Sequence, residues 1–118
     1  MHYDEVDLRG TPRYFELCIY TPSPGKASAL LERFRNHTLR LFERHGMCNL
    51  GYWTSDEDSP RLFYLLAHDG RAAAEKSWSD FGADPEWQEI YEKSMAGGRL
   101  ITDHIRIGLE PTDFSPLQ

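Results

Sequence analysis

Residues 61–68 (RLFYLLAH) are apolar at nearly every position, which predicts a strand with hydrophobic side chains on both of its faces. Such a pattern is typical of a strand in the interior of a sheet. Residues 13–20 (RYFELCIY) predict a second strand that also carries apolar side chains on both faces. One face has Phe15, Leu17 and Ile19, and the other has Tyr14, Glu16, Cys18 and Tyr20. Helices on one side of a sheet cover only one of its surfaces, so these two strands leave a hydrophobic surface that something else must bury. We expect that surface to contain Tyr14, Cys18 and Tyr20.

A long amphipathic helix is predicted to follow the first strand. Apolar residues recur at three- and four-residue steps from Ala27 to His45, and Gly46 suits the left-handed residue after a last helical turn. Residues 47–54 (MCNLGYWT) predict a further strand, in which Gly51 indicates a bulge or a close approach by another group. A short polar turn leads from there into residues 61–68, so these two strands are expected to form a hairpin.

The second half of the chain predicts two helices and a last strand. A helix is expected over residues 70–81, and Asp84 followed by Pro85 marks the start of another that runs to about residue 95. Residues 100–109 predict the last strand. The order is that of the ferredoxin-like βαββαβ plan, an α+β fold with a four-stranded antiparallel sheet and helices on one face. Its first and third strands are central. A second copy packed on the open sheet surface would close a dimeric α+β barrel.

Composition and charge narrow the class of protein. The formal net charge is −6, which argues against binding to a nucleic-acid backbone. No run of about 18 apolar residues is present, and the acidic start has no hydrophobic signal segment, so we expect neither a membrane span nor export. Residues 1–12 are polar and are interpreted as a flexible arm before one domain over residues 13–118. Cys18 and Cys48, with no CxxC motif, are interpreted as reduced, packed thiols of a cytoplasmic protein.

Five segments, in this order and spacing, resemble the NIPSNAP family. They are Tyr14–Tyr20 followed by Pro24-Gly25-Lys26, then His45-Gly46, Gly51-Tyr52-Trp53, Asp84-Pro85-Glu86-Trp87 and Pro111-Thr112-Asp113-Phe114. The resemblance implies the dimeric α+β barrel superfamily, to which that family is assigned, but no settled activity. Family members commonly carry Arg where this chain has Cys18, so any role of that Arg is missing here or shared by Arg106. Related barrels include cofactor-independent monooxygenases and haem proteins, an analogy at the level of the fold alone.

The aromatic and histidine residues suggest where a small molecule would bind. Phe34 on the first helix, Trp53 in the second strand and Trp78 on the second helix would form an apolar wall, with His37 as its polar anchor. The alternative is that these residues fill the core. His68 at the end of the third strand is, with His37, a candidate base. The predicted ligand-binding residues are therefore Phe34, His37, Trp53, Trp78 and His68, and the predicted ligand is a small apolar or aromatic molecule.

Three polar residues of the first and last strands form a second candidate group. Glu16 and Arg106 lie on strands that are neighbours in this fold and are expected to form an ion pair, and His104 shares a face with Arg106. The group is interpreted either as a network at the dimer interface or as a ligand anchor. No HxH or HExxH motif and no phosphate-binding glycine loop occurs, so neither a metal nor a cofactor is predicted.

Three functions remain open from the sequence. The first is a homodimer that binds a small apolar or aromatic molecule between helices and sheet. The second is an enzyme of the cofactor-independent monooxygenase or isomerase type, which requires a base and a titratable group with a perturbed pKa in an enclosed pocket. The third is a non-catalytic interaction module, which requires a large exposed apolar patch outside the dimer contact.

Overall fold

The computed structural model describes residues 13–118; the predicted arm over residues 1–12 lies outside the described part. One antiparallel sheet has the strand order β2-β3-β1-β4. Its strands are β1 (Tyr14–Pro22), β2 (Cys48–Thr54), β3 (Leu62–His68) and β4 (Ile101–Leu109). The strands predicted to be central, β1 and β3, are the central ones, so the predicted ferredoxin-like α+β plan is confirmed.

The helix predicted from Ala27 to His45 is interrupted. It consists of α1 (Ala27–Arg33), a π-helical turn over Phe34–Thr38 and α2 (Leu39–Arg44). Thr38 Oγ1 donates a hydrogen bond of 3.3 Å to the carbonyl of Arg33, five residues earlier, which supports the wider turn. Apolar spacing predicted the helix but did not predict the π turn.

Two helices lie between β3 and β4. They are α3 (Arg71–Ala83) and α4 (Pro85–Ser94). The predicted start of α4 is confirmed, because Asp84 Oδ1 accepts a hydrogen bond of 2.9 Å from the backbone N–H of Glu86. None of the residues of α4 is buried, so this helix lies at the outside of the helical layer.

The helices cover the sheet face opposite to the one expected. Cys18 is buried in the hydrophobic core, and the Tyr20 ring contacts that of Phe34 edge to face at 5.6 Å. The placement predicted for Tyr14, Cys18 and Tyr20, on the uncovered surface, was therefore wrong. Alternation separates the two sets of side chains on β1, but it does not tell which set faces the helices, because both contain large apolar residues.

The uncovered face, here called the open sheet surface, is strongly hydrophobic. Residues paired directly across an antiparallel sheet share a face, and the pairing places one apolar set together. Its members are Leu17, Ile19, Trp53, Phe63, Leu65, Ile105, Ile107 and Leu109. Trp53 is 57% exposed, and the three β4 members are each at least 40% exposed. The area resembles the inner face of a two-sheet core more than a solvated surface.

Gly51 has the role predicted for it. The pairing of β2 with β3 shifts between Asn49 and Gly51, which is a bulge. The Trp53 ring lies over Gly51, so closely that a Cβ there would come within 2.5 Å of Trp53 Cη2. The glycine thus lets Trp53 lie flat along the open sheet surface.

The cysteines differ from each other in environment. Both thiols are free, but Cys18 is buried and Cys48 is exposed at the start of β2. The prediction that both are packed was wrong for Cys48. Among residues 13–118, no helix has the length and apolar character needed to cross a membrane.

Candidate functional site

A buried carboxylate lies between the sheet and α3. Glu16 is only 6% exposed, and its Oε1 accepts hydrogen bonds from two rings. His68 Nε2 is 2.8 Å from Oε1, and Trp78 Nε1 is 2.7 Å from the same oxygen. An ionised carboxylate only accepts hydrogen bonds, so Nε2 is the protonated nitrogen of this contact. Three elements, β1, β3 and α3, therefore meet at one carboxylate.

The local fold fixes the three side chains of this cluster. Glu16 points toward the helices because it alternates with Phe15 and Leu17 along β1. His68 ends β3 on the same face, since it pairs with Tyr14 in the register of the two central strands. The Trp78 ring is held by an edge-to-face contact with Phe42 at 5.4 Å.

Arg106 on β4 adds a positive charge to the cluster. Its Nε lies 3.7 Å from Glu16 Oε2, and its guanidinium lies 4.2 Å from the centre of the Trp78 ring, a cation–π geometry. Arg106 pairs with Cys18 across the two strands. The side chain remains 45% exposed, so it also reaches the space outside the cluster.

The charge of Glu16 is stabilised by its partners. Burial alone would raise its pKa, but hydrogen bonds from His68 and Trp78 and the positive charge of Arg106 outweigh that effect. The pKa of Glu16 therefore lies below its ordinary value of 4.5. The neighbouring Cys18 shows the opposite result, since burial raises the pKa of its thiol to about 12, which excludes a thiolate nucleophile at neutral pH.

A cavity of about 490 Å³ opens next to this cluster. Tyr14, Trp78 and Arg106 line it together with Gly108. Gly108 has no side chain to occupy the space, and a Cβ at this position would collide with the Tyr14 hydroxyl. A glycine here is thus required for the Tyr14 ring to lie across β4. We call this space the α3 cavity.

Two of the residues predicted to bind ligand meet at Glu16, and the other three do not. His68 and Trp78 lie in the cluster. Phe34 is 4% exposed inside the core, and Trp53 projects from the other face of the sheet, so the predicted wall of Phe34, Trp53 and Trp78 was wrong. His37 lines a separate groove between α1 and α4.

The predicted polar group is divided in the same way. Glu16 and Arg106 are together, whereas His104 is exposed and its ring lies 5.8 Å from that of Tyr20. All three residues lie on the helix side of the sheet. Both interpretations of the group, as a network at the dimer interface and as a ligand anchor, stay predictions.

His68 has a polar atom with no partner. Its ring is buried, and Nδ1 makes no hydrogen bond in the described part of the chain. In a neutral ring with Nε2 protonated against Glu16, Nδ1 would carry a free lone pair. The arrangement of a carboxylate, an oriented imidazole and a free second nitrogen is one that a general base uses. Residues 13–118 contain no cluster of three or more potential metal ligands.

Comparison with known proteins decides the family. The sequence model of the NIPSNAP family matches residues 15–116. The chain belongs to the NIPSNAP family. The resemblance noted from five short segments is thereby confirmed. A search of curated proteins gives no significant match.

Solved structures share the NIPSNAP fold of this chain. A NIPSNAP family protein from Agrobacterium tumefaciens has a TM-score of 0.81 at 20% identity, with 100% of this chain and 97% of that chain covered. An uncharacterized NIPSNAP-like domain protein from Burkholderia xenovorans gives 0.76 at 21%, with 90% of each covered. A putative antibiotic biosynthesis monooxygenase from Chloroflexus aurantiacus gives 0.54 at 16%, covering 90% of this chain and 99% of that one. At these identities the likeness shows the fold alone.

Sequence reasoning missed one buried residue, Arg33. The apolar pattern predicted from Ala27 to His45 does not include it, but it is only 8% exposed. Its spacing of three residues after Leu30 was the signal for an inward position. Long stems allow Arg to follow apolar surface, so charge alone does not exclude such a position.

Proposed function

We propose that this NIPSNAP protein binds a small molecule in the α3 cavity, with an aromatic or apolar body and one hydrogen-bonding group. The observation that carries the proposal is the fixed geometry around Glu16, which holds Arg106 over Trp78 at the mouth of the cavity. An aromatic body would lie along Tyr14 and Trp78, while the guanidinium offers donors to its polar group. The charged residues Glu16, Arg71, Glu75 and Arg106 also line the cavity. The proposed ligand therefore carries a polar group and is not purely apolar.

The test uses phenol and toluene as probes and follows the three indole N–H signals by ¹H–¹⁵N NMR. Trp78 Nε1–H is one of them and donates to Glu16. We expect phenol to shift the Trp78 signal in a saturable way, and toluene to shift it less because it lacks the hydroxyl. Trp53 and Trp87 are conveniently assigned from W53F and W87F.

Matched arginine variants define the site in this experiment. Arg106→Met should weaken phenol binding by about tenfold or more, because it removes charged donors. Arg35→Met is the control, since Arg35 is exposed on the first helical region. A Trp78 signal that does not respond to millimolar phenol, or an equal affinity in Arg106→Met, would overturn the proposal.

An enzymatic role is a second candidate, and the free Nδ1 of His68 is the observation that favours it. With Glu16 as the orienting carboxylate, His68 would act as a base toward a phenolic substrate. Incubation of phenols with the protein in air, followed by mass spectrometry, tests this role. A product that forms with the wild type and not with His68→Gln supports it, and no product with either removes it.

We also propose that two copies associate through the open sheet surface. The exposed Trp53, Ile105 and Ile107 lie in one continuous layer with the half-buried side chains of β1 and β3. A second copy would bury this layer and close the α+β barrel. The cytoplasmic location stays a prediction of the sequence, with which two free cysteines are compatible.

A further inference from the structure

A second cavity lies on the other side of the helical layer, between α1 and α4. This α1–α4 groove has a volume of about 780 Å³ and is separate from the α3 cavity. Part of its lining is apolar, from Ala29, Ile90 and Leu100. α4 has no fully buried residue and forms one wall of the groove.

A buried cation without a counter-charge lines this groove. Arg33 is 8% exposed, and its guanidinium lies 5.2 Å from the Trp87 ring centre and 5.6 Å from that of Tyr91. Nη1 donates to Ser94 Oγ at 2.9 Å, while Nε is buried with no partner. Among residues 13–118, no carboxylate lies within 4.0 Å of this guanidinium. Burial lowers the pKa of Arg33, as expected for a cation that is removed from water without a carboxylate beside it.

A second buried polar atom in the groove also lacks a hydrogen-bond partner among the described residues. His37 also lines the groove, and its Nδ1 is buried without a hydrogen-bond partner in the described residues. The π-helical turn that contains His37 starts immediately after Arg33. Such turns occur often where side chains are arranged for binding. Buried donors and acceptors are normally satisfied, so two orphans in one groove indicate an absent partner.

The acidic residues around the groove do not supply that partner. Three carboxylates line the groove: Glu32 lies 3.9 Å from Arg35, Glu86 lies 3.0 Å from Arg40, and Glu89 lies 3.2 Å from Lys93. Each of the three is paired with another cation, so Arg33 is left without a carboxylate partner among the described residues. One negative charge would balance it, whereas a dianion would meet repulsion from the acidic rim.

We propose that the α1–α4 groove is a second ligand site, for an organic carboxylate whose head group pairs with Arg33 and whose apolar body lies between α1 and α4. A carboxylate matches the planar donors of a guanidinium. The apolar residues Ala29, Ile90 and Leu100 are suited to an aliphatic or aromatic tail. This site is independent of the proposed function, because none of its residues lines the α3 cavity.

The competing explanation is that Arg33 is a purely structural residue, here called a strut. Its side chain would then only join α1 to α4 through contacts with Trp87, Tyr91 and Ser94. The two explanations differ in what Arg33→Met does. If Arg33 is a ligand anchor, Met keeps the packed stem, and the empty protein loses no stability because an unpaired buried charge is removed. If Arg33 is a strut, the thermal midpoint falls sharply.

The experiment titrates the protein with octanoate, with 1-octanol and inorganic phosphate as controls for tail and charge. Calorimetry gives the affinity, and the Trp87 indole N–H signal in ¹H–¹⁵N NMR gives the location. We expect octanoate to shift the Trp87 signal and to bind at least about tenfold more tightly than either control. Arg33→Met should reduce that affinity by about tenfold or more, and Arg33→Lys by less, because Lys keeps the charge without the planar donors.

Arg106→Met separates the two sites. It should bind octanoate like the wild type even if its phenol binding is lost. The inference is overturned if octanoate leaves Trp87 unchanged, if it shifts only Trp53 on the open sheet surface, or if Arg33→Met binds it equally well. A large fall in the thermal midpoint of Arg33→Met, with no octanoate binding to the wild type, would establish the strut instead.

Discussion

The contact between Trp78 and Glu16 is the residue-scale feature on which the α3 cavity depends. The indole N–H donates over 2.7 Å to a carboxylate that is 6% exposed, so water does not readily replace it. Hydrogen bonds to charged groups contribute more than neutral ones, and a buried acceptor that loses its donor costs more again. The orientation of His68 and Arg106 follows from the position of this carboxylate.

Trp78→Phe is expected to lower the free energy of unfolding by roughly 1.5–3 kcal/mol, because it removes this donor while keeping most of the ring. It should also raise the pKa of Glu16, since a hydrogen bond to the charged form is lost. Urea denaturation measures the first effect and carboxyl ¹³C NMR against pH the second. Ser79→Ala, exposed on the same helix, is the control and should stay within about 0.5 kcal/mol. An unchanged Glu16 pKa in Trp78→Phe would contradict the role given to the indole.

His45, at the end of α2, forms a second residue-scale contact. Its Nε2 lies 2.7 Å from Asp84 Oδ2, and Arg44 contacts the same oxygen at 3.0 Å. The hydrogen bond from His45, the Glu86 backbone N–H and Arg44 lower the pKa of Asp84 to about 2. The carboxylate thereby ties the end of α2 to the start of α4.

The pH dependence of this contact has a definite sign. A carboxyl whose folded pKa is depressed stabilises the fold fully above its unfolded pKa, near 3.8, and loses that contribution as pH falls toward 2. Asp84→Asn keeps a residue that caps helices well but removes the charge. We expect urea denaturation to show the variant less stable than the wild type from pH 5 to 7, with the difference vanishing near pH 2. A difference that stays constant with pH would exclude the ionic role.

At the scale of elements, glycines mark where strands and side chains approach closely. Gly108 in β4 leaves room for the Tyr14 ring because it has no side chain, and Gly51 in β2 does the same for the Trp53 ring. Gly82 in α3 differs, since a Cβ there meets nothing within 4 Å. The three positions therefore predict different responses to the same substitution.

Gly108→Ala is expected to destabilise the fold by roughly 1–3 kcal/mol, because the methyl group displaces the Tyr14 ring. It should also weaken phenol binding, since Tyr14 lines the α3 cavity. Gly82→Ala is the control and should stabilise by up to about 1 kcal/mol, because Ala favours the helix. Thermal denaturation and the phenol titration measure both effects. A neutral Gly108→Ala with wild-type phenol binding would disprove the close packing at this position.

Element order and strand centrality could be predicted because periodicity, turn residues and helix caps act locally. Which face of the sheet the helices cover could not be predicted. On β1, both alternating sets are rich in apolar residues, and the set with Glu16 looked less suited to a core than the set with Leu17. The set with Glu16 nevertheless packs against the helices, because His68 and Trp78 donate hydrogen bonds to the carboxylate. Those partners come from distant parts of the chain. Because the faces of the sheet could not be assigned, Trp53 was predicted to form a wall with Phe34. The two residues lie on opposite faces of the sheet.

At the scale of the whole molecule, a single chain has one helical layer for a sheet with two apolar surfaces. On the helix side the central strands β1 and β3 are largely buried, whereas Trp53, Ile105 and Ile107 on the open sheet surface are each more than 40% exposed. Exposed hydrophobic areas of this extent mark association sites or aggregation hazards. Association of two copies, as proposed above, would remove the exposed layer and protect the edge strands β2 and β4.

Ile107→Lys places a charge in the middle of that layer, where a partner would otherwise desolvate it. We expect this variant to be folded and monomeric. Thr102→Lys, also on β4 but away from the open sheet surface, is the control and should assemble like the wild type. Size-exclusion chromatography with circular dichroism compares the two. Equal elution of both variants and the wild type would place any contact elsewhere.

Sedimentation equilibrium of the wild-type protein at micromolar concentration is the most direct test that the second sheet surface is completed by a copy of the chain. The prediction is a folded particle with twice the 13.7 kDa mass of one chain. A stable, folded species of 13.7 kDa under the same conditions would contradict it, because the open sheet surface would then be a solvent-exposed face of a monomer.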